Sequence, residues 1–272
     1  MRYSYPAVLL LLVMSTMQVV SAAEKPLIFS AAPSHSMQET KDIYTPIVNF
    51  LSNEIGRKII LEPAINFIDY TNKFKKDRYD IIFDGPHFVG WRIAKYQHTP
   101  IARLPGQIKI IVATRKNLAI DSYKDLAGQR VCTFASPNML TMSFLEYFPN
   151  PAQQPVMVTA KGFKGLEKCL LHEPRIYAAV LRDKMWNKMK NKQDLKILFA
   201  PERGYPERTF STSNRIDAYT RSQIAAALLS DQAKPHLQKL LKTFKREKLI
   251  AATTEEYEGL GLLLKNIWGF EL

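Results

Sequence analysis

Beyond its first 23 residues the chain has no apolar run long enough to cross a membrane, and in 272 residues it holds only two cysteines and no C-x-x-C pair. The first absence leaves no further helical membrane span, and the second leaves no spacing for a zinc knuckle or a dithiol redox centre. No G-x-S-x-G occurs and neither cysteine has an evident activating partner, so nucleophilic catalysis has no visible machinery. His35 and His87 could both face a cleft, but two histidines are short of a metal site, and no His/Asp/Glu set stands at ligand spacing. RNA-recognition and zinc-finger signatures are also missing. An enzyme is therefore the weaker class, and neither a cofactor nor a nucleic acid is expected.

Residues 1–23 carry one charge, Arg2, then the apolar run Ala7 to Val13 and the small residues Ser21, Ala22 and Ala23. This is the plan of a secretory signal peptide, with cleavage near Ala22 or Ala23 and export to the periplasm. The remaining 249 residues are basic: 37 Lys and Arg against 25 Asp and Glu, a formal charge of +12 once Arg2 is set aside. Such a balance favours anionic partners. The densest basic stretch, Lys184 to Lys192, reads as a solvated helix face. In an exported chain the pair Cys132 and Cys169 is expected to be a disulfide rather than a metal or redox site.

The chain is organised around Tyr79 to Arg92, YDIIFDGPHFVGWR. An apolar strand ends at Asp84, Gly85 allows a tight bend, and Pro86 opens a helix at the position where its missing N–H costs nothing. The free N–H groups of that helix point past the strand's carboxyl edge, where open α/β sheets bind ligands. Before it, Leu27 to Phe29 reads as a strand feeding the polar loop of Ser34 and His35. A helix is expected from Pro46 to Ile55, with Thr45 as N-cap and a stop at Gly56. Lys58 to Leu61 is a second strand and Phe67 to Lys76 a short helix.

The same strand–helix alternation resumes after Gln107. Strand IKIIVATRK leads to a capping box of Ser122 and Asp125, strand Arg130 to Phe134, a Ser136-Pro137-Asn138 turn and a helix from Met139. Strands at Val156, Ile176 and Leu195 alternate with helices at Phe163 and Lys184. From Asp217 the pattern is helical, with apolar faces that must pack on the earlier units. Alternation of this kind gives largely parallel sheets.

The G-P turn after the third strand, the segment S-Y-K-D-L-A-G-Q-R-V, the Ser-Pro turn opening a second unit and the helical tail together resemble the phosphonate/phosphate-type periplasmic substrate-binding proteins of ABC importers, over about Leu27 to Leu264. The resemblance implies an α/β, two-lobed periplasmic-binding-protein (flytrap) fold of type II, with two crossover segments near Ala113 and Phe210. Residues 24–112 and 214–272 would form lobe 1 and residues 113–213 lobe 2. It further implies a monomer that binds a small-molecule ligand in the cleft without catalysis.

In that family the helix after Gly-Pro contacts ligand, which here implies Gly85, Pro86, His87 and Phe88. Val89 replaces a frequent tyrosine and Phe67 another. A hydroxyl-rich turn that cups a phosphonate is represented by Met139-Leu140-Thr141-Met142, so only Thr141 keeps its hydroxyl. Ser136, Asn138 and the start of the Met139 helix supply further donors. Asp84 is either a ligand contact or the residue that fixes the turn. Arg182 either reaches an anion or pairs on the surface. Phe163 could add apolar area.

The cleft is thus expected to be more aromatic and less hydroxylated than a phosphonate trap, and to take a small organic ligand with an anionic or polar head. Delivery to a membrane ABC permease is the leading reading. Delivery to a membrane signalling sensor is the alternative, and a periplasmic hydrolase or transferase on the same fold stands behind both.

Overall fold

A computed structural model of the chain describes residues 24–267, 269 and 270. The expected leader and its cleavage site lie outside the described residues, apart from the first residue after them. The chain starts with β1 (Leu27–Ala31), α1 (Met37–Ile55), β2 (Ile59–Leu61), α2 (Phe67–Phe74), β3 (Ile81–Asp84), α3 (Pro86–Tyr96) and β4 (Thr99–Arg103). A short β5 (Gln107–Ile108) leads into β6 (Ile110–Arg115), β7 (Arg130–Thr133), α4 (Met139–Leu145), β8 (Val156–Thr159), α5 (Gly162–His172), β9 (Ala178–Arg182), α6 (Asp183–Lys188) and β10 (Leu195–Phe199). The chain then returns through β11 (Tyr205–Pro206) and β12 (Thr209–Thr212) to α7 (Ala218–Leu229), α8 (Lys234–Phe244) and β13 (Ile250–Ala251).

Eleven of these strands form two sheets, one per lobe. The first has the order β13-β4-β12-β3-β1-β2 and the second β10-β6-β9-β7-β8. In each sheet three strands run parallel, and one strand from the far side of the crossover inserts antiparallel, β12 beside β3 and β6 beside β9. That is the two-lobed type II architecture. The two crossing segments pair with each other as a two-stranded ribbon, Tyr205 opposite Ile108 and Pro206 opposite Gln107. Ala113 lies within β6 and Phe210 within β12, so the ribbon runs a few residues before each of the expected crossing points.

The expected start of α1 is corrected. The helix begins at Met37, capped by Ser36 in a capping box with Glu39, and Pro46 sits inside it. A proline there removes one helical hydrogen bond. The buried stripe Thr40, Ile43, Tyr44, Ile47 and Leu51 offsets that loss by packing against β1 and the tail helices. Four strands escape the sequence reading, β4, β11, β12 and β13. β4 contains Pro100, which is tolerated because the β12–β4 register shifts between Phe210 and Ser211, next to the proline.

One core lies between the first sheet and α1, α7 and α8, around Phe29, Phe83, Phe210, Leu228 and Leu240. The other face of that sheet carries an aromatic cluster of Tyr70, Phe74, Phe88, Trp91 and Phe270. The tail does add a strand, β13, and its last turn, Leu260–Leu264, lies against α3. The approach is backbone to backbone. A Cβ on Gly90 would come within 2.5 Å of the Tyr257 carbonyl, and one on Gly261 within 2.7 Å of the Trp91 backbone. Among the described residues no helix is long and apolar enough to cross a membrane.

The second lobe carries the disulfide expected from the sequence, Cys132 of β7 to Cys169 of α5, 37 residues apart in sequence with Cα atoms 6.4 Å apart. Gly261→Ala should lower stability by roughly 1–3 kcal/mol through overpacking, about 2–4 °C per kcal/mol in Tm, and an unchanged melt would refute the close approach. Replacing both cysteines by alanine should remove ~2–4 kcal/mol. Thiol labelling of the unreduced, unfolded protein checks the bridge, and two free thiols would refute it.

Candidate functional site

The site grows from the end of β3. All four β3 residues are buried, and Gly85 caps α3 in an extended conformation without a side-chain cap, with Pro86 next in the first turn. Glycine is required because a Cβ would lie 2.9 Å from the His87 ring, which folds back over it. Asp84 points the other way. Its carboxylate receives both terminal nitrogens of Arg92, at 2.7 and 2.8 Å, together with the Tyr70 hydroxyl. Both charges are completely buried. The turn-fixing role weighed for Asp84 thus takes the form of an ion pair to the helix it precedes.

The second lobe faces this helix with the turn before α4. The Ser136–Pro137 bond is cis, and Asn138 caps α4 by accepting from the Leu140 N–H at 3.0 Å. The Pro137 carbonyl lies 2.8 Å from His87 Nε2, a direct hydrogen bond from lobe to lobe. Thr141 is turned inward: its hydroxyl donates to the Phe134 carbonyl at 2.6 Å and meets the Thr133 hydroxyl at 3.1 Å.

Between the lobes lies a cavity of about 190 Å³. It brings together seven of the residues singled out in the sequence: Phe67, Gly85, Pro86, His87, Phe88, Asn138 and Arg182. Ser34, His35, Asp84, Ser136 and Thr141 are not on its wall. Ser34 stands behind the wall as the acceptor of a hydrogen bond from Arg208 at 3.2 Å, and His35 meets Phe244 edge-on at 6.3 Å. Ser136 is exposed. Phe163 packs in the disulfide-bearing core of the second lobe, away from the cavity.

Sequence reasoning missed Phe134, Met185, Glu207, Arg208 and Phe244, which also stand on the wall. The segment PERGYPER did show alternating charges, but nothing local says that one face of it returns to the cleft. Phe244 belongs to the tail, which carried no site expectation.

The charges divide cleanly. Glu207, 2% exposed, is clamped by Arg182 at 2.6 Å and by Arg246. Arg182 therefore stands on the wall but is already paired with Glu207. Arg208 lies over the Phe244 ring at 5.4 Å and, among the described residues, has no carboxylate in ion-pair range. Its charge is left uncompensated in the cleft. Burial, with Arg208 and Arg92 contributing, lowers the His87 pKa from 6.5 to about 4, so the imidazole is neutral at physiological pH. His35 is also lowered, by burial and then by Arg208. No group of residues among those described could hold a metal ion.

Residues 29–257 match the family described as ABC transporter, phosphonate, periplasmic substrate-binding protein. The chain belongs to that family. Its members are periplasmic, bind small molecules and serve ABC transporters. No curated protein matches this member in sequence.

Solved structures share the fold at low identity. A Xanthomonas citri protein bound to ATP superposes with a TM-score of 0.71 at 11% identity, covering 89% of this chain and 98% of that one. PhnD1 of Prochlorococcus marinus in complex with methylphosphonate gives 0.64 at 16%, covering 89% and 97%. A binding protein component of an ABC phosphonate transporter from Pseudomonas aeruginosa gives 0.60 at 13%, covering 86% and 84%.

The buried imidazoles make stability depend on pH. His87 and His98 both have a pKa lowered from 6.5 to about 4, chiefly by burial. Between those values the unfolded chain binds more protons than the folded one, so stability is full above 6.5 and declines as pH falls towards 4. Thermal melts over this window should show a falling Tm, with a shallower decline in His87→Gln. Parallel profiles for the two proteins would contradict the assignment.

Proposed function

We propose that this family member captures a small organic anion with an apolar body and delivers it to an ABC permease. The observation that carries this reading is Arg208, a cation without a carboxylate partner among the described residues, set with Phe67, Phe88, Phe134 and Phe244 on the cavity wall. An anion placed there gains a charge-assisted hydrogen bond, and its apolar part gains the rings. The chain's net positive charge supports steering of anions to the cleft. The leader-like residues 1–23 support export, and the family supports binding without turnover by a single chain.

A bare phosphonate dianion is the poorer fit. Such a group needs several donors, because a buried charge left unpaired is costly. Here the Thr141 hydroxyl is committed within the protein, and Met139 and Leu140 occupy the wall.

Calorimetry with aromatic and aliphatic carboxylates, phosphonates and phosphate tests the reading. An aromatic or alkyl carboxylate should bind more tightly than methylphosphonate or inorganic phosphate. Arg208→Gln should weaken that binding by roughly 1.5–3 kcal/mol, as expected for a hydrogen bond to a charged group. Thr141→Val should leave it almost unchanged. Tight binding of methylphosphonate or phosphate alone, or indifference to Arg208→Gln, would overturn the proposal.

A further inference from the structure

His87 uses only half of its hydrogen-bonding capacity. Its Nε2 lies 2.8 Å from the Pro137 carbonyl, which can only accept. Nε2 therefore carries the proton, and Nδ1 is left with a lone pair. That atom is buried without a partner among the described residues, in a side chain that is 3% exposed. Buried polar atoms are rarely left so.

The Nδ1 edge of the ring, closed to solvent, lies against Gly85, itself on the cavity wall. A Cβ there would stand 3.1 Å from Nδ1 and 2.9 Å from Cε1, so any other residue would crowd the acceptor. Phe88 holds the ring from the other side, with centroids 4.1 Å apart.

We propose that His87 Nδ1 selects ligands that carry an uncharged hydrogen-bond donor, a hydroxyl or an amide N–H, beside their anionic group. This selection rests on the cleft being an anion site. The donor is uncharged because, among the described residues, the cavity wall offers no free carboxylate for an ammonium: Glu207 is held by Arg182 and Arg246, and Arg208 leaves the site positive. A hydroxyl can be borne on carbon, or it can be the acid hydroxyl of a singly protonated oxyanion. Both present the same O–H to Nδ1.

Two matched pairs separate these sources: 3-phenylpropionate against 3-phenyllactate, and propylphosphonate against 1-hydroxypropylphosphonate. Carboxylates carry no acid hydroxyl at pH 7, so in the first pair only the carbon-borne hydroxyl can act. The hydroxylated member should bind about tenfold more tightly, the equivalent of one added hydrogen bond. In His87→Gln the amide nitrogen can still donate to Pro137 but nothing stands at Nδ1. That variant should lose the preference, so that the two members of each pair bind within about twofold of one another whatever their common affinity. If the acid hydroxyl is the donor, propylphosphonate should instead bind more tightly as pH is lowered through its second ionisation, again only with His87 present.

Nitrogen-15 spectra of histidine-labelled wild-type protein give a second readout that needs no variant. The unprotonated Nδ1 resonance of His87 should move with the hydroxylated ligand and stay in place with its deoxy partner. Equal affinities within both pairs together with a propylphosphonate affinity that does not rise as pH falls, a preference that survives His87→Gln, or a resonance unmoved by every ligand that binds would each overturn the inference while leaving the anion site standing. Failure of all four ligands to bind would instead remove the reading on which it rests.

Discussion

The cleft depends on one buried ion pair, Asp84 with Arg92, which no water reaches. Asp84 is the last residue of β3 and Arg92 stands two turns into α3, so the bidentate contact fixes the angle at which the helix leaves the sheet. Two charges taken out of water cost less when most of the remaining lone pairs and protons are used, and here Arg92 Nε is left without a partner among the described residues. Tyr70 of α2 donates to the same carboxylate, Ser211 of β12 accepts from Arg92, and the guanidinium lies 5.4 Å from the Phe74 ring centre. Four elements thus converge on one charge pair. With α3 held in this way, Gly85, Pro86, His87 and Phe88 are presented to the second lobe as a preorganised edge rather than a loop that must order on binding.

The second constraint is the crossing ribbon. Because β5 and β11 pair with each other, the returning strand brings Glu207 and Arg208 to the same place on every molecule. Adjacent residues there have opposite fates. Glu207 is neutralised between Arg182, from the end of β9, and Arg246, beyond α8, so it joins the lobes structurally. Arg208 turns to Ser34 and Phe244 on the first lobe and keeps its charge for the cavity. Much of the polar capacity near the cavity is consumed internally: the Thr141 hydroxyl and the Glu207 carboxylate bond within the protein, whereas Arg208 has no carboxylate partner among the described residues.

Much of the architecture was legible in the sequence because its signals are local. The Asp-Gly-Pro junction, the capping box of Ser122 and Asp125 and the strand–helix alternation each depend on the chemistry of a few neighbouring residues, and the disulfide followed from an even cysteine count in a chain with a leader-like start. The start of α1 was misplaced because a proline was read as a first-turn residue while Ser36 and Glu39, several residues earlier, carried the stronger cap. Strand β4 was missed because Pro100 argues against a strand locally, and only the register shift in β12 accommodates it.

Part of the site was legible for the same reason: the Gly85 to Phe88 turn and Asn138 sit at helix starts that the sequence marks. Arg208, Glu207 and Phe244 were not, because their role is set by the pairing of segments a hundred residues apart and by the return of the tail to the first lobe. Nor could the sequence say that Asp84 and Thr141 would turn inward, since an aspartate or threonine near a cleft reads the same whether it serves ligand or protein. The sequence by itself determined most of the elements and the repeated strand–helix plan through short-range preferences, the basic character of the chain through its composition, and the disulfide through its two cysteines. Tertiary structure alone decided which arginine stays without a carboxylate and which histidine nitrogen stays open, because hydrogen-bond capacity is consumed by whichever groups the fold brings within about three ångströms.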